Sequence, residues 1–572
     1  MRRKPIRLIA ALVAVAAAVA AAFTVRTAFA EPETPKEGGA EQLGAEATVA
    51  AMQPGWNLGN SLDAVGEDET AWGNPRITAE LLDNIEAQGF NSVRIPVTWS
   101  AHQEAEAPYA IDAAYLSRVQ EVVDLALDEG LYVLINVHHD SWQWVNQMPT
   151  QHDAVLARYD AAWTQIAEAF VDAPPELVFE NINEPQFADV SEEEGDALLD
   201  ELNDSFHAIV RGSGGVNAER LLVIPTLHTS SDQARLDATA ESIAALDDPM
   251  IAATVHYYGY WPFSVNVAGY TRFNEEVRED IVSTFDRVKA TFIDKGVPVI
   301  LGEWGLLGFD KHTGVVEQGE KLKFFEFLGH YAGEVGLTTM WWDNGQHLDR
   351  ESFTWKDPEL FAHVAGAWEG RSGTAYTDLV YVPAGEAPAA QTIPLHSNGL
   401  GFEGVWNGET ELAEGTDYTV DETENLTLSA ELLAGLAGDG GTGEQAVLEV
   451  RFSSGVPWKL HVIASAAPVA QDASGTTTEL AIPVAFNGDQ LATMEAVYPD
   501  GTAAGPHDWT AYKEFATAFK PDYEAGRIVI PEAFFAAMND GSTVQLTFHF
   551  WSGTTVEYTL ERSGTTVTGS AA

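Results

Sequence analysis

From residue 48 to Arg371, short apolar runs alternate with longer segments whose apolar residues recur at helical spacing. The runs Gly55 to Leu58, Ser92 to Ile95, Tyr132 to Val137 and Leu177 to Ile182 predict four strands. Four more are predicted at Leu221 to Ile224, Ala253 to His256, Val297 to Ile300 and Thr338 to Trp342. Between them, sets such as Leu81, Leu82 and Ile85, or Val119, Val122, Val123, Leu125 and Ala126, mark one face of a helix. Gly89, Gly130, Gly296 and Gly336 stand where a helix C-terminus takes the left-handed conformation. Eight strands alternating with helices over about 325 residues predict a (β/α)8 TIM barrel, placed at 48–375. A doubly wound open sheet would show the same alternation and is the structural competitor.

Beyond Arg371 the helical spacing fades. Val382 to Pro388, rich in Pro and Ala, reads as a linker, and short β-type runs follow. Trp406-Asn407-Gly408 and Phe486-Asn487-Gly488 are hairpin signals. Two β-sandwich modules are therefore predicted, at 376–466 and 467–572; the paired Asn-Gly turns suit a duplication without establishing one. At the other end, Arg2, Arg3, Lys4 and Arg7 precede an apolar run from Leu8 to Val25, and Ala28-Phe29-Ala30 offers a cleavage site. Residues 1–30 thus predict a secretory signal peptide, followed by a polar spacer at 31–47. A retained membrane anchor is the alternative; no later run is long enough to span a bilayer.

The chain has 572 residues, 45% hydrophobic and 20% charged, a composition that excludes disordered, collagen-like and coiled-coil classes. Its 30 Lys and Arg against 86 Asp and Glu give a net charge of −56. Losing the leader, with its five basic residues, would take that to −61. So acidic a surface repels phosphate backbones and anionic lipid, so the expected partner is a neutral substrate, with no nucleic acid and, after signal cleavage, no membrane. A secreted, extracellular monomer is expected. There is no Cys, which excludes thiol chemistry and Cys-ligated metals.

In a barrel of this kind, functional side chains gather where strands end and loops begin. Those positions hold Arg94, His138, Asn183-Glu184, His256 with Tyr258, Glu303 and Trp342. Glu184 and Glu303, ending strands four and seven, would face each other across the barrel mouth. Glycosidic cleavage uses such a pair: one carboxyl protonates the leaving oxygen, and the other, ionised, meets the oxocarbenium-like centre. Either Glu alone also fits an ordinary loop carboxylate in so acidic a chain. An arginine beside Glu303 would keep it ionised, while a less charged setting would raise Glu184 into the acid role.

The run Ile182-Asn183-Glu184-Pro185, with His138, His256-Tyr257-Tyr258 and Gly302-Glu303-Trp304, resembles glycoside hydrolase family 5. GWNLGNSLDA (Gly55 to Ala64), WGNP (Trp72 to Pro75), HYYGYWPFS (His256 to Ser264) and MWWDNG (Met340 to Gly345) resemble its subfamily 4 of endoglucanases. The resemblance implies a retaining endo-β-1,4-glucanase acting on β-glucan chains, with Glu184 as acid/base and Glu303 as nucleophile, and no cofactor. It also implies that Asn183 binds the 2-hydroxyl, Tyr258 and Arg94 hold the nucleophile, and Trp342 stacks on the sugar at the cleavage point. A strict xyloglucanase, a β-mannanase or a catalytically idle wall-binding protein are the rivals. The stretch Gly408 to Val420, with Val450 to Gly455, resembles the immunoglobulin-like modules of bacterial cellulases. The last part, with Val497 to Phe515 and Thr547 to Gly553, resembles a family-46 carbohydrate-binding module.

Further substrate-contact candidates are Asn57, His139, Trp99, Trp142, Trp144 and Trp261 in the barrel, and Trp509, Tyr512 and Trp551 in the last module. For each aromatic, ordinary packing is the competing role. His138-His139-Asp140, with His152, could suggest a metal hydrolase, but consecutive histidines on a strand point to opposite faces, so no metal is expected.

Overall fold

Strands covered by helices on one side and by the barrel interior on the other must be apolar on both faces. The computed structural model, which describes residues 43–438 and 441–571, has this arrangement. The strands are β1 (Gly55–Asn57), β2 (Ser92–Ile95), β3 (Tyr132–Asn136), β4 (Leu177–Glu180), β5 (Leu222–Pro225), β6 (Ile251–Tyr257), β7 (Val299–Trp304) and β8 (Thr338–Trp341). All pair in parallel in chain order, and β1 closes on β8 through Gly55 opposite Met340. Closure removes the open-sheet alternative. Helices such as α1 (Ala79–Ala87) and α2 (Ala113–Asp128) bury the predicted stripes, with Leu81, Leu82 and Ile85 inside on the first. The four glycines all have positive φ.

Alternation sorts the barrel interior into layers. Near the strand N-termini, Leu134, Val178, Val223, Ala252, Ile300 and Met340 form an apolar cluster with Ala45, Val49 and Met52. The last three belong to a helix beginning at Ala45 and its C-terminal end, so Ala45–Ala47 cap the barrel rather than lie in the spacer. Two residues further along β1 to β4, the inward positions are Asn57, Arg94, Asn136 and Glu180, all buried. A polar layer therefore rests on an apolar floor. The predicted signal peptide lies outside the described residues, and among those described no helix is long and apolar enough to cross a membrane.

The middle module packs a sheet of Thr374–Ala375, Gln391–His396, Asn425–Leu428 and Tyr418–Val420 on a second, five-stranded sheet. That second sheet contains Leu379–Pro383, paired in parallel with Trp458–Ser465. The stretch expected as a linker thus begins inside a strand. In the last module eight strands form one hydrogen-bonded path, and a ninth, Val469–Ala470, pairs off it with Glu479–Ala485. Only the first Asn-Gly turn is a hairpin, joining Phe402–Asn407 to Thr410–Glu411. The second joins Glu479–Ala485 to Leu491–Val497, which are not neighbours in the sheet. Instead Asn487 donates to the Ala467 carbonyl at 2.8 Å, and a Cβ on Gly488 would stand 2.5 Å from the Ala464 oxygen. This turn seats the last module on the middle one, so it carries no signature of duplication.

Candidate active site

The polar layer is organised by Arg94. Its guanidinium, fully buried, donates to Glu180 (2.8 and 3.2 Å), Asn57 (3.0 Å), Asn183 (2.7 Å) and Glu303 (2.7 Å). Burial alone would lower the arginine's pKa, but Glu180 and Glu303 outweigh that and push it up. Tyr258 donates to the other Glu303 oxygen at 2.6 Å. Burial, then the charges of Glu303 and Glu184, raise that phenol far above its usual range, so it remains a donor.

Glu184 follows β4 in a left-handed conformation, φ +39°, and its Oε1 lies 3.0 Å from His256 Nδ1. The same nitrogen is 3.6 Å from Glu303 Oε2. One ligand atom each of Glu184, His256 and Glu303 lies within 4.8 Å of the others. Burial raises the Glu184 carboxyl, yet His256, Arg94 and His139 together hold it below the usual value. The less charged setting expected for Glu184 is therefore not what these neighbours provide. The Val97 amide donates to Asn136 Oδ1 at 3.2 Å, so the Asn136 amide faces Glu180 and His138 Nδ1, each at 3.1 Å. His138 Nδ1 then accepts, and Nε2, 4.0 Å from Glu303, carries the hydrogen. Burial foremost, and then His139 and Arg94, keep this imidazole neutral.

Glu303 reaches the interior through a break in register. His256 pairs with Glu303 while Val255 pairs with Leu301, so β7 carries one extra residue. Strict alternation from inward Ile300 would turn Glu303 outward; the bulge at Gly302 turns it inward. A Cβ on Gly302 would stand 2.8 Å from Thr254 Oγ1 and 3.1 Å from His256 Nε2. Gly59 gives similar room to Trp342, whose half-buried indole lies parallel to His138 at 6.1 Å.

The aromatic candidates divide by exposure. Trp142 and Trp261 in the barrel and Trp509 in the last module are exposed, and Trp142 donates to His139 Nδ1 at 3.0 Å. Trp99 is 0% exposed and binds the Asn136 carbonyl, so it is core. Trp144 is buried, donating to Asp140 at 2.7 Å beneath Arg158. Asn57 is buried, with Arg94 on its oxygen and the Gly302 and Met340 carbonyls on its nitrogen, leaving nothing for a sugar. Tyr512 packs over Gly269 at the contact between barrel and last module, and Trp551 lies under Arg272 at 4.8 Å. Three of the nine contact candidates, Trp142, Trp261 and Trp509, are thus exposed, while His139, Tyr512 and Trp551 are half-buried.

Sequence reasoning missed Glu180 and Asn136, although a carboxylate inside the run Leu177-Val178-Phe179-Glu180 was a signal that a buried partner exists. It also left Trp72 unmarked as a contact; its exposed ring lies 5.2 Å from His139. The histidine argument against a metal fails in its premise. Both histidines lie past β3, their rings 4.5 Å apart, and with Asp63 they bring three ligand atoms within 4.8 Å of one another. Two of these donors are engaged: Asp63 accepts the Asn60 and Ser61 amides, and His138 Nδ1 accepts from Asn136.

A parallel eight-stranded barrel with two carboxyls and a buried arginine at its mouth is the architecture of a glycoside hydrolase. Residues 57–348 match the family model described as cellulase (glycosyl hydrolase family 5), and the chain belongs to that family as an endoglucanase. Residues 375–462 match carbohydrate binding domain X2, and 466–570 match the family-46 carbohydrate binding domain. The chain is 54% identical to Endoglucanase B of Paenibacillus lautus over 527 residues, covering 91% of this chain and 93% of that one. The full-length trimodular endo-β-1,4-glucanase B of Bacillus halodurans superposes with a TM-score of 0.91 at 49% identity, over 93% of this chain and 100% of that one. A trimodular subfamily-4 endo-β-1,4-glucanase of Bacillus licheniformis, complexed with cellotetraose, gives 0.78 at 30% identity, over 92% and 99%.

Proposed function

We propose that the chain is a secreted, retaining endo-β-1,4-glucanase that cleaves internal bonds of cellulose-type chains, mixed-linkage β-glucan and xyloglucan by double displacement. The observation that carries this is the approach of Glu184 and Glu303 oxygens to within 4.8 Å. Retaining enzymes hold their carboxyls about 5–5.5 Å apart, whereas inverting ones leave roughly 6.5–9.5 Å for a water. Glu303 attacks the anomeric carbon, its two oxygens aimed by Arg94 and Tyr258. Glu184 protonates the departing oxygen. Its side chain is 45% exposed, and a bound sugar that covers it raises its pKa toward the protonated form. Once the glycosyl ester consumes the charge on Glu303, Glu184 loses a repulsive neighbour and serves as base for the incoming water. NMR of early products should show the β-anomer released first; an α-anomer first product refutes retention. Glu303→Gln should abolish turnover.

The substrate range is supported by the cellotetraose-bound relative and by the last module's position against the barrel. Trp509, 59% exposed, stands 6.4 Å from Trp261 of the barrel. Two indoles from two modules at one rim would grip a chain too long for the barrel alone. Trp509→Ala should lower kcat/KM on xyloglucan about tenfold more than on a short aryl-cellooligoside, equivalent to roughly 1.4 kcal/mol of stacking. Equal losses refute a joint cleft. Reducing-sugar assays across barley glucan, xyloglucan and mannan separate this range from that of a strict xyloglucanase or β-mannanase.

A further inference from the structure

The segment that presents Trp509, residues 505–510, has no regular secondary structure, and its shape must come from side chains beneath it. Lys513 supplies this. It is 0% exposed, and its Nζ donates to the carbonyls of Pro506 (3.1 Å), His507 (3.1 Å) and Thr510 (2.5 Å). All three ammonium hydrogens are spent on a stretch that brackets Trp509. Among the described residues no carboxylate lies within ion-pair distance of it, and burial lowers its pKa to about 8 against the opposing pull of Asp508. A buried charge without a counter-ion is costly, and an apolar side chain of similar length would fill the same space without that cost. The lysine is thus explained by what it does to the loop.

The next residue ties the loop to the barrel. Glu514, buried, accepts from His507 Nε2 at 2.6 Å on one oxygen. On the other it takes Lys311, which follows β7, the strand carrying Glu303. Thr517 braces that oxygen at 2.7 Å and Lys311 at 3.0 Å. His507 lies edge-on to Trp261 at 5.7 Å.

We propose that Lys513, supported by Glu514, is a specificity-determining positioning residue: by fixing residues 505–510 it sets Trp509 beside Trp261 and so sets the preference for long chains over short ones. The proposal rests on the joint cleft argued above. Its test uses the full-length chain, measuring kcat and KM on xyloglucan and on an aryl-cellotrioside for Lys513→Met, for Trp509→Ala and for the double variant. Lys513→Met should raise the xyloglucan KM five- to tenfold with kcat held and the aryl-cellotrioside constants unchanged. In the Trp509→Ala background it should add no further loss. Should Lys513→Met fold poorly, Glu514→Gln, which frees Lys311 but keeps a partner for His507, should raise the xyloglucan KM about threefold, again only when Trp509 is present. A loss that persists in the Trp509→Ala background, or that strikes both substrates alike, overturns the inference. So does an unchanged Lys513→Met or, in its stead, Glu514→Gln beside a weakened Trp509→Ala. An unchanged Trp509→Ala refutes the joint cleft itself, and the role of Lys513 falls with it.

Discussion

Every nitrogen of the Arg94 guanidinium is engaged, by four side chains from three strands and one loop. A lysine offers a point charge and cannot span that set. The arginine makes a pair of buried carboxylates, Glu180 and Glu303, tolerable, and it orients Glu303, the proposed nucleophile. Glu184 is placed differently: part exposed, and held by His256. Because His256 lowers Glu184, and the proposed acid step needs Glu184 protonated, kcat/KM should fall as pH rises through the Glu184 value. His256→Gln removes that lowering contact. The alkaline limb of the kcat/KM profile should then move to higher pH, at a lower maximum rate. A limb that stays in place or moves down would show that His256 does not set the Glu184 titration. Glu184 and Glu303 were legible because functional carboxyls end barrel strands. Glu180 was not legible as such an end, since the sequence pattern carries strand four on to Ile182 and puts this charge inside it, whereas the strand ends at Glu180.

At the scale of elements, strand lengths and helix stripes were readable because parallel buried strands need unbroken apolar runs and helices need apolar spacing of three and four. Strand ends were less so: β7 runs on through Trp304, so Glu303 lies within a strand rather than after it. Its inward aim depends on the Gly302 bulge, which a pattern of alternation cannot reveal. Gly302→Ala should insert a methyl against Thr254 and His256. Overpacking of this sort costs about 1–3 kcal/mol. Activity should fall by at least tenfold, with a smaller proportional loss in melting temperature, because His256 must turn away from Glu184. Wild-type activity for Gly302→Ala would mean that the bulge absorbs the methyl.

At the scale of the whole molecule, the barrel meets the middle module at a pair of acids. Asp378 is buried beside Glu317, and Asp378 Oδ1 has no hydrogen-bond partner when both acids are ionised. Burial raises both pKa values; Glu317 pushes Asp378 up further, and Glu320 does the same to Glu317. The folded pair therefore keeps a proton to higher pH than the same acids do in the unfolded chain. The folded chain binds more protons than the unfolded one above the ordinary Asp value of 3.8, so this pair's contribution is full below that pH and is lost as pH rises toward the raised value. Asp378→Asn, which keeps the shape and needs no proton, should raise the melting temperature at pH 8 by about 2–4 °C. The gain should vanish near pH 4. An equal gain at both pH values would show that the acid pair does not titrate with unfolding.

The sequence by itself determined the barrel, the change to β modules near Arg371, the family and the placing of Glu184 and Glu303 at the barrel mouth, since each follows from periodicity or from short motifs local in the chain. Tertiary structure alone decided which aromatics face the cleft. Trp99 and Trp142 both follow strand ends, yet one is core and the other exposed, because exposure depends on what distant segments cover. It also decided that Phe486-Asn487-Gly488 joins modules rather than strands, and that Lys513 sits beneath the Trp509 loop. Turn chemistry specifies a local bend, but the partner of that bend, like the partner of a buried charge, is chosen by chain that lies far away in sequence.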